Sequence, residues 1–167
     1  MKDTIFIHYG HNEFNKSKFQ NISNDGAWIK PKGGLWGSPI NSSWGWKTWC
    51  KENNFQDDDF SIYFEFKLNI IYSNVLVINS YGDMLKLPWK NVKYSDKIKR
   101  IDFEEINRWY DAIYLTENGQ RETHLPKFTV KDYKIDHFKN LYGWDCESVL
   151  VMNPNIIEEL KNEKCYK

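Results

Sequence analysis

The sequence lacks most of the motifs that announce a chemistry. It has no GxxxxGK[ST] and no GxGxxG, so neither Gly-rich phosphate cradle is present. It has no GxSxG, which excludes the serine turn of the α/β-hydrolases, and no CxxC, the usual start of a structural zinc site. No stretch approaches the ~20 apolar residues that span a bilayer, so no membrane segment is expected. The opening residues, MKDTIFIHYG, have too short an apolar run and no small-residue cleavage site, so no secretion signal is expected. Formal net charge is +0, which leaves no global basic footprint for nucleic acid. Cysteine is scarce: Cys50, Cys146 and Cys165 are far apart and odd in number. That pattern fits reduced thiols in a cytosol better than a disulfide scaffold. His8-x-x-His11-x-Glu13 looks like a ligand cluster, but residues three apart on a strand face opposite ways, so no metal site is expected.

What the chain has is aromatic rings, 17% of residues with eight Trp. Such side chains either fill a core or line a pocket for a planar ligand. With 167 residues the chain fits one domain over 1–167. Thr4 to Tyr9 and Leu35 to Ser38 read as short strands, the second stopped by Pro39. Ser42 or Ser43 starts a helix to about Asn53, on which Trp46, Trp49 and Cys50 share a face. Phe60 to Leu68 alternates apolar and polar and reads as a half-buried strand. Asn74 to Asn79, Asp111 to Thr116 and Ser148 to Met152 read as further strands. Short helices are expected at Tyr81 to Leu87, at Asp102 to Tyr110 with Asp102 as cap, and after Asn153-Pro154 to about Glu163. Lys86 to Arg100 is locally basic and reads as a solvated face, with a contact for an anionic partner as the alternative. Glu117 to Asn140 reads as polar and irregular. Strands dominate without βαβ alternation, so the fold class is α+β.

Three separated pieces carry chemistry. The first is Ile5-Phe6-Ile7-His8-Tyr9-Gly10, a histidine near the end of the first strand. The second is "GGLWGSP", holding Gly34, Leu35, Trp36 and Ser38, followed by "WKTWC" with Trp46 and Trp49. The third is "WDCESVLVMNP", where Glu147 precedes the late strand. In this order the pieces resemble the ADP-ribosyltransferase superfamily in its diphtheria-toxin and poly(ADP-ribose)-polymerase branch. That branch has a histidine on its first strand, an aromatic on a Gly-led strand, a second aromatic on the following helix and a glutamate opening a late strand. Here tryptophan stands at both aromatic positions. Trp46 stands where polymerase relatives have a small serine, a role Ser38 is placed to take. Asp145 precedes Glu147 by two, where other branches have Gln or Glu, and the acceptor stays open.

The resemblance implies two small, mostly antiparallel sheets with NAD in the cleft between them and short helices outside. It implies Glu147 and His8 as the catalytic pair. Glu147 would stabilise the oxocarbenium-like state at the ribose, and His8 would position the ribose or amide end. Tyr9, Gly10, Gly34, Leu35, Trp36, Ser38, Trp46 and Trp49 would bind NAD with His8. Indole faces attract the cationic ring, and Gly33, Gly34 and Gly37 would let ligand and backbone approach. The implied activity is mono-ADP-ribosyl transfer from NAD, a substrate, to a protein or nucleic acid, with no metal. Alternatives are NAD hydrolysis on the same fold and a non-catalytic Trp-rich binding module. The implied setting is a bacterial cytoplasm, as a toxin or a phage-borne effector.

Overall fold

The computed structural model describes residues 3–25, 30–55, 59–92, 95–124 and 139–160. The strands are β1 (Phe6–Tyr9), β2 (Leu35–Pro39), β3 (Tyr63–Leu68), β4 (Val75–Ile78), β5 (Trp89–Val92), β6 (Ser95–Ile101), β7 (Ala112–Leu115), β8 (Ser148–Val151) and β9 (Ile157–Leu160). The helices are α1 (Trp46–Asn53), α2 (Tyr81–Leu85), α3 (Phe103–Ile106) and α4 (Glu117–Thr123). Seven strands form one sheet in the order β4-β7-β8-β2-β1-β3-β9, and β5 with β6 makes a separate ribbon. Among the described residues only the β4–β7 pairing is parallel.

The α+β class therefore stands, but a continuous sheet replaces the two small sheets expected. The reason lies in β2, which is paired along both edges. It meets β1 through Phe6↔Pro39 and Ile7↔Ser38, and β8 through Leu35↔Val151, Trp36↔Leu150 and Gly37↔Val149. The three strands that carry the motifs are thus consecutive neighbours at the sheet centre.

The sheet is covered on both faces. Ile113, Leu115, Leu150 and Met152 pack with Ile78, Met84, Phe103 and Trp144 on one side. Phe6, Leu35, Phe66, Val149 and Val151 pack with Ile156 on the other. β8 is accordingly buried at every position, as a central strand with two apolar faces must be. In β3 the alternation works as read: Phe64, Phe66 and Leu68 are buried. Its start is later than expected, at Tyr63, because Asp59 Oδ1 accepts from Ser61 N at 2.9 Å and holds a turn.

Two segments differ in kind from the reading. After Asn153-Pro154 the chain makes one 3-10 turn and then β9, not a helix. β9 closes the free edge of β3 and sets Glu158 opposite Lys67; the expected end near Glu163 lies outside the described residues. The stretch after Thr116 is not irregular throughout. Thr116 Oγ1 accepts from Gly119 N at 3.0 Å and caps α4, while 125–138 lie outside the described residues. Asp102 caps α3 as expected, accepting from Glu105 N at 3.2 Å. The basic stretch before it folds as the β5–β6 ribbon, with Lys90 Nζ 3.1 Å from Asp102 Oδ1.

Candidate functional site

At the C-terminal end of β1 the sheet opens into a cavity of about 290 Å³. Trp36, Trp46 and Trp144 wall it with Tyr9, and His8, Ser38, Lys30 and Asp145 supply polar atoms. An apolar hollow with a few convergent polar groups is the usual form of a small-molecule site. Each ring is braced. Trp144 is fully buried and meets Trp36 edge-on at 4.7 Å between ring centres. Trp46 is backed by Trp49, stacked at 5.2 Å with 17° between planes. The backbone N–H of Trp46, at the start of α1, donates to Ser38 Oγ at 3.0 Å, which ties the helix to β2.

His8 is half-buried and locked. Its Nδ1 lies 2.7 Å from the carbonyl oxygen of Trp36. A carbonyl only accepts, so Nδ1 carries the hydrogen and Nε2 is left as an acceptor. Burial holds the imidazole below its ordinary pKa; the Trp36 carbonyl works against this and His11 adds to it. Nε2 lies 3.2 Å from His11 Nδ1, and the two rings are stacked at 5.4 Å. The expectation that these histidines face opposite ways fails because the strand ends between them, at Gly10 with φ +98. Among the described residues, no group of three His, Cys, Asp or Glu is placed to hold a metal ion.

Two acids precede β8, and they take different sides. Asp145 lies in the cavity. Its carboxylate pairs with Lys30 Nζ at 3.1 Å, and Lys30 also stands 5.7 Å from the Trp36 ring centre. The Asp145 carbonyl accepts from Trp44 Nε1 and Gln120 Nε2, both at 3.1 Å, which fixes the backbone there. Glu147 lies in another hollow, with Asp3, Thr4 and Tyr114, and accepts the Tyr114 hydroxyl hydrogen. Burial and this carboxylate both raise the Tyr114 pKa. Between the acids sits Cys146, whose thiol burial pushes up to about 12, with the Asp145 charge adding and Ser38 Oγ opposing.

The expected His8–Glu147 pair is therefore not assembled. The physical reason is strand geometry. β8 is antiparallel to β2, and β2 to β1, so β8 and β1 run the same way. A residue at the start of β8 lies level with the start of β1, whereas His8 is near its end. Alternation puts Ser148 on the cavity side with Ser38 and Trp36 and Glu147 on the other face, the face on which His8 packs against Phe64, so what parts His8 from Glu147 is distance along the strands.

Of the other expected residues, Tyr9, Trp36, Ser38 and Trp46 line the cavity. Gly34 and Leu35 line an adjoining, larger hollow with Phe14 and Phe19, and His8 and Trp36 are shared by both. Gly10 lies in neither, at the turn after β1, where its N–H donates to Ile62 O at 2.9 Å. Trp49 supports Trp46 from behind and lines a cleft between α1 and α4. The glycines of the second motif line both hollows, Gly37 the cavity and Gly33 and Gly34 its neighbour, and they also serve the sheet and core. Gly34 is at φ +73, and a Cβ on Gly37 would stand 2.9 Å from the Phe66 ring. Lys30 carried no pattern in the sequence, and Trp144 opens the third motif without a role of its own there.

No protein-family model, curated protein or solved structure matches the chain at a significant level. No described helix is long and apolar enough to cross a membrane.

Proposed function

We propose that the chain is an NAD-dependent mono-ADP-ribosyltransferase that takes the nicotinamide end of NAD into the cavity between Trp36 and Trp46. The observation that carries this reading is that cavity: a small, indole-walled hollow with a fixed neutral imidazole and a carboxylate at its rim. A flat cationic ring between indoles gains ~0.5–2 kcal/mol from the ring faces. Ser38 Oγ offers a hydroxyl to the amide. His8 Nε2 accepts from a ribose hydroxyl in exchange for its contact with His11 Nδ1 at 3.2 Å. The adjoining hollow, which shares His8 and Trp36, receives the remainder of the dinucleotide, and Lys18 on its wall faces the pyrophosphate charge.

When the bond from C1′ of the ribose to nicotinamide nitrogen breaks, its electron pair leaves with neutral nicotinamide. Positive charge develops at C1′ and the ring oxygen. A carboxylate close by lowers that barrier, and the bound indoles keep water away. The cleft between α1 and α4 is also lined by Asp145, whose carbonyl is held there by Trp44 and Gln120, and it gives a second molecule access to that residue. That access favours transfer to an acceptor over simple hydrolysis. Acceptor identity and a bacterial cytoplasmic or phage-effector setting belong to the same proposal. The experiment is incubation with biotinylated NAD in a bacterial lysate. A labelled macromolecule that disappears with Trp46→Ala supports transfer; nicotinamide release with no labelled product assigns hydrolysis.

A further inference from the structure

We infer that Asp145, and not Glu147, is the carboxylate that faces the reacting ribose. This rests on the ADP-ribosyl transfer reading and names the acid within it. Three observations carry it. Asp145 lines the cavity with His8, Trp36 and Trp46, while Glu147 lines a separate hollow with Asp3, Thr4 and Tyr114. The Glu147 carboxylate is already engaged by the Tyr114 hydroxyl. Asp145 is held on both its atoms of interest: its carbonyl takes two side-chain N–H donors, and its carboxylate is steered by Lys30 at 3.1 Å. A group so fixed stabilises charge without reorganising when the charge appears.

Asp145 also lines the α1–α4 cleft, so it borders the donor cavity and the acceptor's approach alike. In the step, the C1′–nitrogen bond breaks and its electron pair goes to nicotinamide. A lone pair of the acceptor then forms the new bond to C1′. The acceptor's proton passes to the Asp145 carboxylate and on to solvent. No oxidant, reductant or metal is needed to balance this.

The test uses the full chain with NAD. Affinity is measured by calorimetry, and turnover by nicotinamide release with and without lysate. Asp145→Asn is expected to lower turnover by about a hundredfold or more while leaving NAD affinity within about threefold. Glu147→Gln is expected to keep turnover within about threefold, because the changed group does not face the ribose. Asp145→Glu recovers part of the loss, and Lys30→Met lowers turnover severalfold without removing it. Circular dichroism and melting curves identify any variant that has unfolded, and Asp145→Glu and Lys30→Met decide the matter if Asp145→Asn has. Full turnover in Asp145→Asn together with its loss in folded Glu147→Gln overturns the inference and leaves the transferase reading in place. A wild-type chain that binds no NAD overturns the transferase reading itself. NAD binding without nicotinamide release overturns the assignment of a reacting carboxylate while keeping the cavity as a ligand site.

Discussion

His8 Nδ1 and the carbonyl oxygen of Trp36 are 2.7 Å apart across the β1–β2 pair, so one hydrogen bond fixes both the ring and its tautomer. The imidazole is turned by the same strand that supplies the indole wall, and its pKa is depressed chiefly by burial.

That depression sets a pH dependence. The folded chain resists protonating His8, while the unfolded chain protonates it near the ordinary 6.5. Between the two values the unfolded state binds more protons, so stability rises with pH. The contribution is fully present above about 6.5 and is lost as pH falls through the lowered folded value. Melting temperatures of wild type and His8→Asn between pH 5 and 8 check this. The variant is expected to lose part of the acid-side slope.

Trp46 and Trp49 stack on each other, but only Trp46 lines the cavity. Trp46→Ala is expected to weaken NAD binding about tenfold, ~1.4 kcal/mol, as a lost ring–cation contact in a partly dry site. Trp49→Ala is expected to cost less, since it removes only the support behind the wall. Calorimetry on both variants makes the comparison.

Gly37 lies against Phe66, where an added Cβ would stand 2.9 Å from the ring. Phe66 is fully buried and cannot swing away. Gly37→Ala is expected to destabilise the fold by ~1–3 kcal/mol through overpacking, read as a lower denaturation midpoint. An effect that appeared only on ligand binding would assign this glycine to the ligand after all.

Tyr114 gives its hydroxyl hydrogen to the buried Glu147. Tyr114→Phe strips a buried carboxylate of that donor and is expected to cost ~1–3 kcal/mol of stability. Adding Glu147→Gln to it is expected to recover part of the loss. A denaturation cycle over the two sites measures the coupling.

Cys146 lines the cavity yet has a buried thiol held up to about 12. It is therefore neutral at pH 7 and a poor nucleophile. In a Cys165→Ser background, native-state alkylation by iodoacetamide is expected to be far slower than after unfolding, with mass spectrometry as the readout. Fast native labelling at Cys146 would contradict this.

The sequence and the structure agree where local physics decides. Alternation of Phe64, Phe66 and Leu68 marks β3, and Asp102 and Pro39 mark a helix start and a strand end. The wall of Trp36 and Trp46 was legible as an excess of rings around small residues. What was not legible depends on pairing between distant segments. Glu147 looked like the acid from its place before a strand, but its face is set by the β2–β8 register, which no local pattern states. β9 looked helical because its pairing with β3 is a tertiary contact. Lys30 reaches the site from a loop with no motif. Asp145 could have been favoured on one signal: it lies ahead of the bend at Cys146 and Glu147, so the alternation of the strand does not fix its direction.

The central claim is that a nicotinamide ring lies between Trp36 and Trp46. Indole N–H resonances, assigned by single Trp→Phe variants, test it directly during titration with NAD. The account predicts shifts at Trp36 and Trp46 and none at Trp109, which is 68% exposed and lines no described cavity. Unmoved Trp36 and Trp46 resonances at saturating NAD would contradict it.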